Sequence, residues 1–160
     1  MGISLGIVRK PFLPARRDWA LLSIAASGRR LLPVQLQKVL YLLGRRFSTL
    51  TKSAFYEFRS ISSGHFSEEI YADVDALSKE GLVTIEHSVR DGLRHYRATT
   101  AGVERAKKLQ KQLPPEVVEY LRNVVTWASG RSVDQLLRES FGPREMTGSA
   151  PRKVEPVRPY

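Results

Sequence analysis

The stretch Ser62–Leu82, SSGHFSEEIYADVDALSKEGL, carries the marks of a helix with both ends signalled. Ser67 is a favourable N-cap, and Phe66 before it can pack onto Tyr71 one turn in. Glu68 and Glu69 stand in the first turn, where the helix dipole favours negative charge. Gly81 suits the left-handed conformation that ends helices, with Leu82 closing on Leu77. Ile70, Val74 and Leu77 predict a buried face, and helical spacing sets Glu68, Ala72, Asp75 and Lys79 on the opposite one. A helix so placed, running into a strand, often enters the DNA groove in small regulators. Yet this one carries Glu68, Glu69, Asp73, Asp75 and Glu80 against Lys79 alone, in a chain of net charge +10.

Downstream, Leu82–Ser88 and Leu93–Thr99 read as two strands joined through Asp91-Gly92, a dipeptide that favours a two-residue turn. That register sets His87 opposite Tyr96, Arg90 opposite Leu93, and Glu86 opposite Arg97 as a cross-strand ion pair. Val89 then faces Arg94 near the tip, and Arg90 and Arg94 project from it.

Upstream, Asp18 is expected to cap a helix running to about Ser27, and Gly28-Arg29-Arg30 breaks it. Pro33 suits the first turn of a second helix, whose apolar stripe is Leu36, Val39, Leu40, Leu43 and Phe47. Arg45 and Arg46 fall in its last turn. Ala54–Ile61, AFYEFRSI, reads as a short strand or extended segment, followed by loop composition over Ser60–Gly64. Beyond the hairpin, Thr100–Gln112 predicts a basic helix and Pro114-Pro115 ends it. Glu116–Ser129 follows with a stripe of Val117, Leu121, Val124, Val125 and Ala128. Ser132 and Gln135 form a capping box for a short helix through Phe141.

This order predicts a mainly α (α+β) fold: a winged helix-turn-helix with a two-stranded wing and extra C-terminal helices. The expected organisation is a basic N-terminal arm at 1–17, a winged-helix domain at 18–112, a helical extension at 113–142 for packing or dimerisation, and a disordered tail at 143–160.

At 160 residues and 42% hydrophobic content the chain is long enough for one real core. No apolar run reaches membrane-spanning length. In MGISLGIVRK the basic residues follow the apolar ones, which argues against a secretory leader. With no cysteine there is no disulfide, thiolate site or thiol nucleophile, so a cytoplasmic protein is expected. The charge is uneven: residues 1–60 hold 11 Lys/Arg against 2 Asp/Glu, residues 61–100 hold 4 against 7, and residues 101–160 hold 11 against 7. Basic segments therefore flank the acidic helix, and an anionic partner is expected.

Little suggests catalysis. His65, His87 and His95 are scattered, with His87 and His95 on opposite faces of the hairpin, so they do not make a metal site. There is no nucleophile elbow, phosphate loop or dinucleotide fingerprint. The acids of the central helix are read as helix-end stabilisation and solvation. Phe55, Tyr56 and Phe58 beside Arg59 are read first as core packing and second as a base-stacking surface. The expectation is a non-enzyme without cofactor or metal.

LQKVLYLL (Leu36–Leu43), GHFSEEIYADVDALSKEGLV (Gly64–Val83) and RHYRATTAG (Arg94–Gly102) together resemble the pattern of YwgA-type regulators and the related Panacea-domain proteins. SVDQLLRESFGPREMTGS (Ser132–Ser149) is similar, more faintly, to their C-terminal segment. His65 stands where that family usually has proline. The resemblance implies a winged-helix core and a role as transcriptional regulator or as an antitoxin neutralising a partner protein; it supplies no catalytic residues.

The expected function is DNA binding in transcription regulation, with contacts from Arg29, Arg30, Arg45, Arg46, Arg90 and Arg94 rather than from the acidic helix. The alternative is a protein-interaction module, an antitoxin or adaptor meeting a toxin or other basic partner through Glu68, Asp75 and Lys79. A third reading is nonspecific nucleic-acid or ribosome association through the tails and the basic helix 100–112. The strong stripe of 116–129 suggests a homodimer, and no membrane partner is expected.

Overall fold

The computed structural model describes residues 14–51, 54–61 and 64–139; the expected tail at 143–160 and most of the expected arm lie outside them. The first helix, α1 (Arg16–Ala26), begins inside that arm. Asp18 does not cap it. Ala15 holds the cap position, and Asp18, inside the first turn, accepts the Ala15 N–H through Oδ2 at 3.0 Å. α2 (Pro33–Arg46) starts at Pro33 as expected, and Gln35 Oε1 accepts the Leu32 N–H at 2.7 Å. A single turn, α3 (Ser48–Thr51), follows.

Only the end of the aromatic segment is strand. β1 (Arg59–Ile61) pairs antiparallel with β2 (Gly64–Phe66), so Ser60, Ile61 and Gly64 of the expected loop lie in paired strands. The marked helix is α4 (Glu69–Lys79), which starts later than the Ser67 signal implies. Ser67 is buried, and its backbone is already engaged: its N–H donates to Gln37 Oε1 at 3.0 Å and its carbonyl accepts from Gln37 Nε2 at 2.9 Å. That clamp ties α2 to the head of α4 and holds Ser67 ahead of the helix, with Glu68 in the cap position. The Phe66–Tyr71 contact is present at 5.7 Å between rings. At the far end Gly81 has φ +79°, and the Leu82 N–H reaches the Leu77 carbonyl at 3.0 Å.

β3 (Val83–His87) and β4 (Arg94–Ala98) form the second hairpin in a register two residues away from the expected one: His87 faces Arg94, Glu86 faces His95 and Ile85 faces Tyr96. Asp91-Gly92 close a four-residue loop instead of making a two-residue turn. Ser88 N–H donates to the Leu93 carbonyl at 2.9 Å, Asp91 Oδ1 accepts the Leu93 N–H at 2.9 Å, and Gly92 sits at φ +69°. A two-residue slip keeps every side chain on its face. Glu86 and Arg97 therefore still pair, as diagonal neighbours 3.5 Å apart. Val89 does not face Arg94 but stands exposed in the loop. Leu31 adds a rung to β4, exchanging both backbone hydrogen bonds with Tyr96 at 2.9 and 2.8 Å.

The chain continues through α5 (Thr100–Lys111), α6 (Pro115–Ser129) and α7 (Val133–Glu139), capped by the expected Ser132–Gln135 box. Phe141 lies outside the described residues. The architecture is thus mainly helical with two small antiparallel sheets. α1 is its centre: Trp19, Ala20, Leu21 and Leu22 are buried, and α2, α4, α5 and α6 pack around them. The stripe Val117, Leu121, Val124, Val125 and Ala128 is closed within the chain, against α2 and α1. Burying each large apolar side chain contributes about 1.5–3 kcal/mol, so this face is core and not a free surface for a second copy.

Candidate nucleic-acid interface and a neighbouring cavity

The acids on and beside α4, Asp75 excepted, are answered inside the chain. Asp73 is buried on the core side, where Arg16 grips it with both ends of its guanidinium fork, Nε to Oδ2 at 2.9 Å and Nη2 to Oδ1 at 2.8 Å. The Tyr56 hydroxyl donates to the same Oδ2 at 2.7 Å. The bond to Asp73 raises the Arg16 pKa further above its already high value, and burial followed by that hydrogen bond pushes the Tyr56 phenol up. Arg16 also reaches Glu69 at 3.1 Å, Arg59 pairs with Glu68 at 2.6 Å, and Arg17 pairs with Glu80. Glu68, Ala72, Asp75 and Lys79 are exposed together, as expected. Of the charges on α4, Asp75 and Lys79 are the ones without an ion pair among the described residues.

Two readings change here. Asp73 is a buried anchor and not a solvated acid. Arg16 and Arg17 belong to the fold, not to a loose arm. The aromatic segment packs: Tyr56 is buried, Phe55 meets Trp19 edge-on at 6.1 Å, and Phe58 meets Tyr41 edge-on at 5.4 Å.

The remaining arginines divide differently. Arg29 and Arg30 are exposed in the turn that leads into Leu31, and Arg90 is exposed in the β3–β4 loop; among the described residues none of the three meets a carboxylate. Arg45 and Arg46 are exposed at the end of α2 and lie on aromatic rings, Arg45 at 5.8 Å from Tyr41 and Arg46 at 4.7 Å from Phe47. Cation–π contact fixes a guanidinium while leaving its charge available. Arg94 does not project from the tip. The register shift places it in β4 opposite His87, half-buried, with Nε shielded from solvent and without a hydrogen-bond partner.

Arg94 opens instead onto a cavity of about 450 Å³. Its walls come from α2, the β1–β2 hairpin, the start of α4, the loop between β3 and β4, and α7. Gln37, Lys38 and Tyr41 face it from α2, with Lys38 only 6% exposed. His65 stacks on Tyr41 with ring centroids 4.3 Å apart and planes 17° from parallel. Burial lowers the His65 pKa, and the charges of Lys38 and Arg45 lower it further, so the imidazole is held neutral in a positive field. No Asp or Glu is among the described residues that line the cavity.

Sequence reasoning missed this cavity. The available signal was the spacing of Lys38, Tyr41 and Arg45, three and four residues apart on one face of α2. His87 is exposed, and His95 lies 3.5 Å from Asp91. Hydrogen bonding, chiefly from the Leu93 N–H, lowers the Asp91 pKa. Among the described residues no three His, Asp or Glu side chains converge as a metal site, and no helix is long and apolar enough to cross a membrane. No family model, curated protein or solved structure matches the chain.

Proposed function

We propose that this chain is a DNA-binding regulator of winged-helix plan that grips the phosphate backbone with arginines around helix α4 and not with the helix itself. The plan is supported by the order of α1, the Leu31 rung, α2, α4 and the β3–β4 hairpin, with Leu31 completing a three-stranded edge at the wing. It departs from the simple motif in one respect. The usual turn of about three to four residues between the second and third helices is replaced here by α3 and the β1–β2 hairpin.

The observation that carries the functional reading is the sorting of the arginines. Arg16, Arg17 and Arg59 pair with Glu68, Glu69, Asp73 and Glu80 on and beside α4, whereas Arg29, Arg30 and Arg90 stand exposed and unanswered by any described carboxylate. With Asp75 the one acid of the stretch left unpaired among the described residues, the helix repels a phosphate backbone less than its sequence suggests, and the outlying cations supply the attraction. Arg45 and Arg46 extend the set. The resemblance to YwgA-type regulators points the same way. The antitoxin or adaptor reading has less behind it, because Glu68 on the proposed docking face already holds Arg59.

The test is fluorescence anisotropy with duplex DNA at about 50 and 150 mM salt. The wild type is expected to bind, and Arg90→Ala combined with Arg29→Ala and Arg30→Ala to bind more weakly, its salt slope lower by about one per lost phosphate contact. Absence of binding at the lower salt, or an unchanged slope in the triple variant, sinks the proposal.

A further inference from the structure

Phosphate contacts hold a protein on DNA but carry no sequence information, which is read at the base edges. The outward face of α4, with Glu68 and Asp75, is poorly suited to that reading. The β3–β4 loop is better suited. Val89 is 99% exposed and Leu93 37%, and these are the large apolar side chains left exposed among the described residues. Both stand in the loop that carries Arg90.

That loop is fastened by its own backbone. The Ser88 N–H donates to the Leu93 carbonyl at 2.9 Å, and the Gly92 N–H to the Ser88 carbonyl at 2.8 Å. Its one acid is occupied: Asp91 Oδ1 accepts the Leu93 N–H at 2.9 Å, and Oδ2 lies 3.5 Å from His95 Nε2. The tip therefore presents an apolar side chain beside a cation. The shortness of valine fixes how such a tip can meet a base. An arginine reaches inward from the rim of a groove, whereas a valine makes contact only if its backbone enters. The minor groove, about 6 Å wide, is too narrow for two strands about 4.8 Å apart with their side chains, and the major groove, about 12 Å wide, admits a two-stranded ribbon.

We propose that the β3–β4 loop enters the major groove and that Val89 packs there on the 5-methyl groups of thymine, with Arg90 on the adjoining phosphate. The thymine methyl is the apolar group that the bases present in this groove, and the minor groove presents none. This assignment rests on the DNA grip proposed above and adds to it the side chain that reads sequence.

The experiment is competition binding of the full chain to poly(dA-dT) and poly(dA-dU), alternating duplexes that differ in the 5-methyl group alone. The wild type is expected to prefer the methylated polymer by about fourfold, the equivalent of burying one methyl group. Val89→Ser, at a fully exposed position, is expected to bind both polymers equally and to hold poly(dA-dU) as tightly as the wild type does. Amide chemical shifts of the wild type give a reading independent of any variant: a short alternating A·T duplex is expected to move Val89 and Arg90. Equal wild-type affinity for the two polymers, an undiminished preference in Val89→Ser, or shifts at Ala72 and Asp75 without shifts in the loop would each overturn the loop as reader and leave the phosphate grip standing. Binding of neither polymer at about 50 mM salt would overturn both.

Discussion

At Asp73 the consequences of one side chain are sharpest. Its carboxylate is 8% exposed and accepts three hydrogen bonds, two from Arg16 and one from Tyr56. Removing one member of a buried pair leaves the others desolvated and unmatched, which costs more than the pair itself contributes. Asp73→Asn keeps the shape and removes the charge, so it is expected to lower unfolding stability by about 2–3 kcal/mol. Asp75→Asn, two residues on and exposed, is expected to stay within about 0.5 kcal/mol of wild type. Urea unfolding decides this, and coincident midpoints for the two variants would deny the triad any structural role. Nothing in the local sequence separates Asp73 from Asp75. The partner Arg16 is 57 residues away, and the helical period alone put Asp73 only near the edge of the buried face.

Among the elements, the approach of α5 to the start of β3 depends on Gly102. A methyl group at that position would lie 2.0 Å from the Leu82 carbonyl oxygen, a backbone atom that itself accepts the Thr99 N–H. Helix propensity by itself makes Gly102→Ala stabilising by about 1 kcal/mol. The contact reverses the sign: the variant is expected to lose at least about 2 kcal/mol, because α5 or the α4–β3 corner must shift. Melting at or above the wild-type temperature would show that the corner yields easily.

Element identity was legible wherever one signal sufficed: Pro33 for α2, the Ser132–Gln135 box for α7, Gly81 for the end of α4. It failed where a distant group competed. Gln37 takes the backbone of Ser67 and displaces the helix start, and the loop hydrogen bonds of Asp91 choose a four-residue connection over the two-residue turn. The second failure moved Arg94 from the tip to the cavity. A site built by register, as this one is, stays hidden until the register is known.

Across the whole molecule the chain closes its strongest apolar stripe on itself. The α6 face that suggested a homodimer rests on α1 and α2, with Val124 only 1% exposed. The alternation of apolar residues in 116–129 showed that the face must be covered; periodicity carries no information about which helix covers it. The two possibilities separate cleanly in solution. An interface residue replaced by a charge breaks the dimer and leaves folded monomers, while a core residue so replaced puts an unpaired charge into the interior of each chain. Val124→Asp is therefore expected to abolish cooperative unfolding at every protein concentration. The wild-type midpoint is expected to stay constant over about a hundredfold range of concentration, since the stripe is already covered within one chain. A midpoint that climbs with concentration, together with a folded monomeric Val124→Asp, would return this stripe to the surface between two copies.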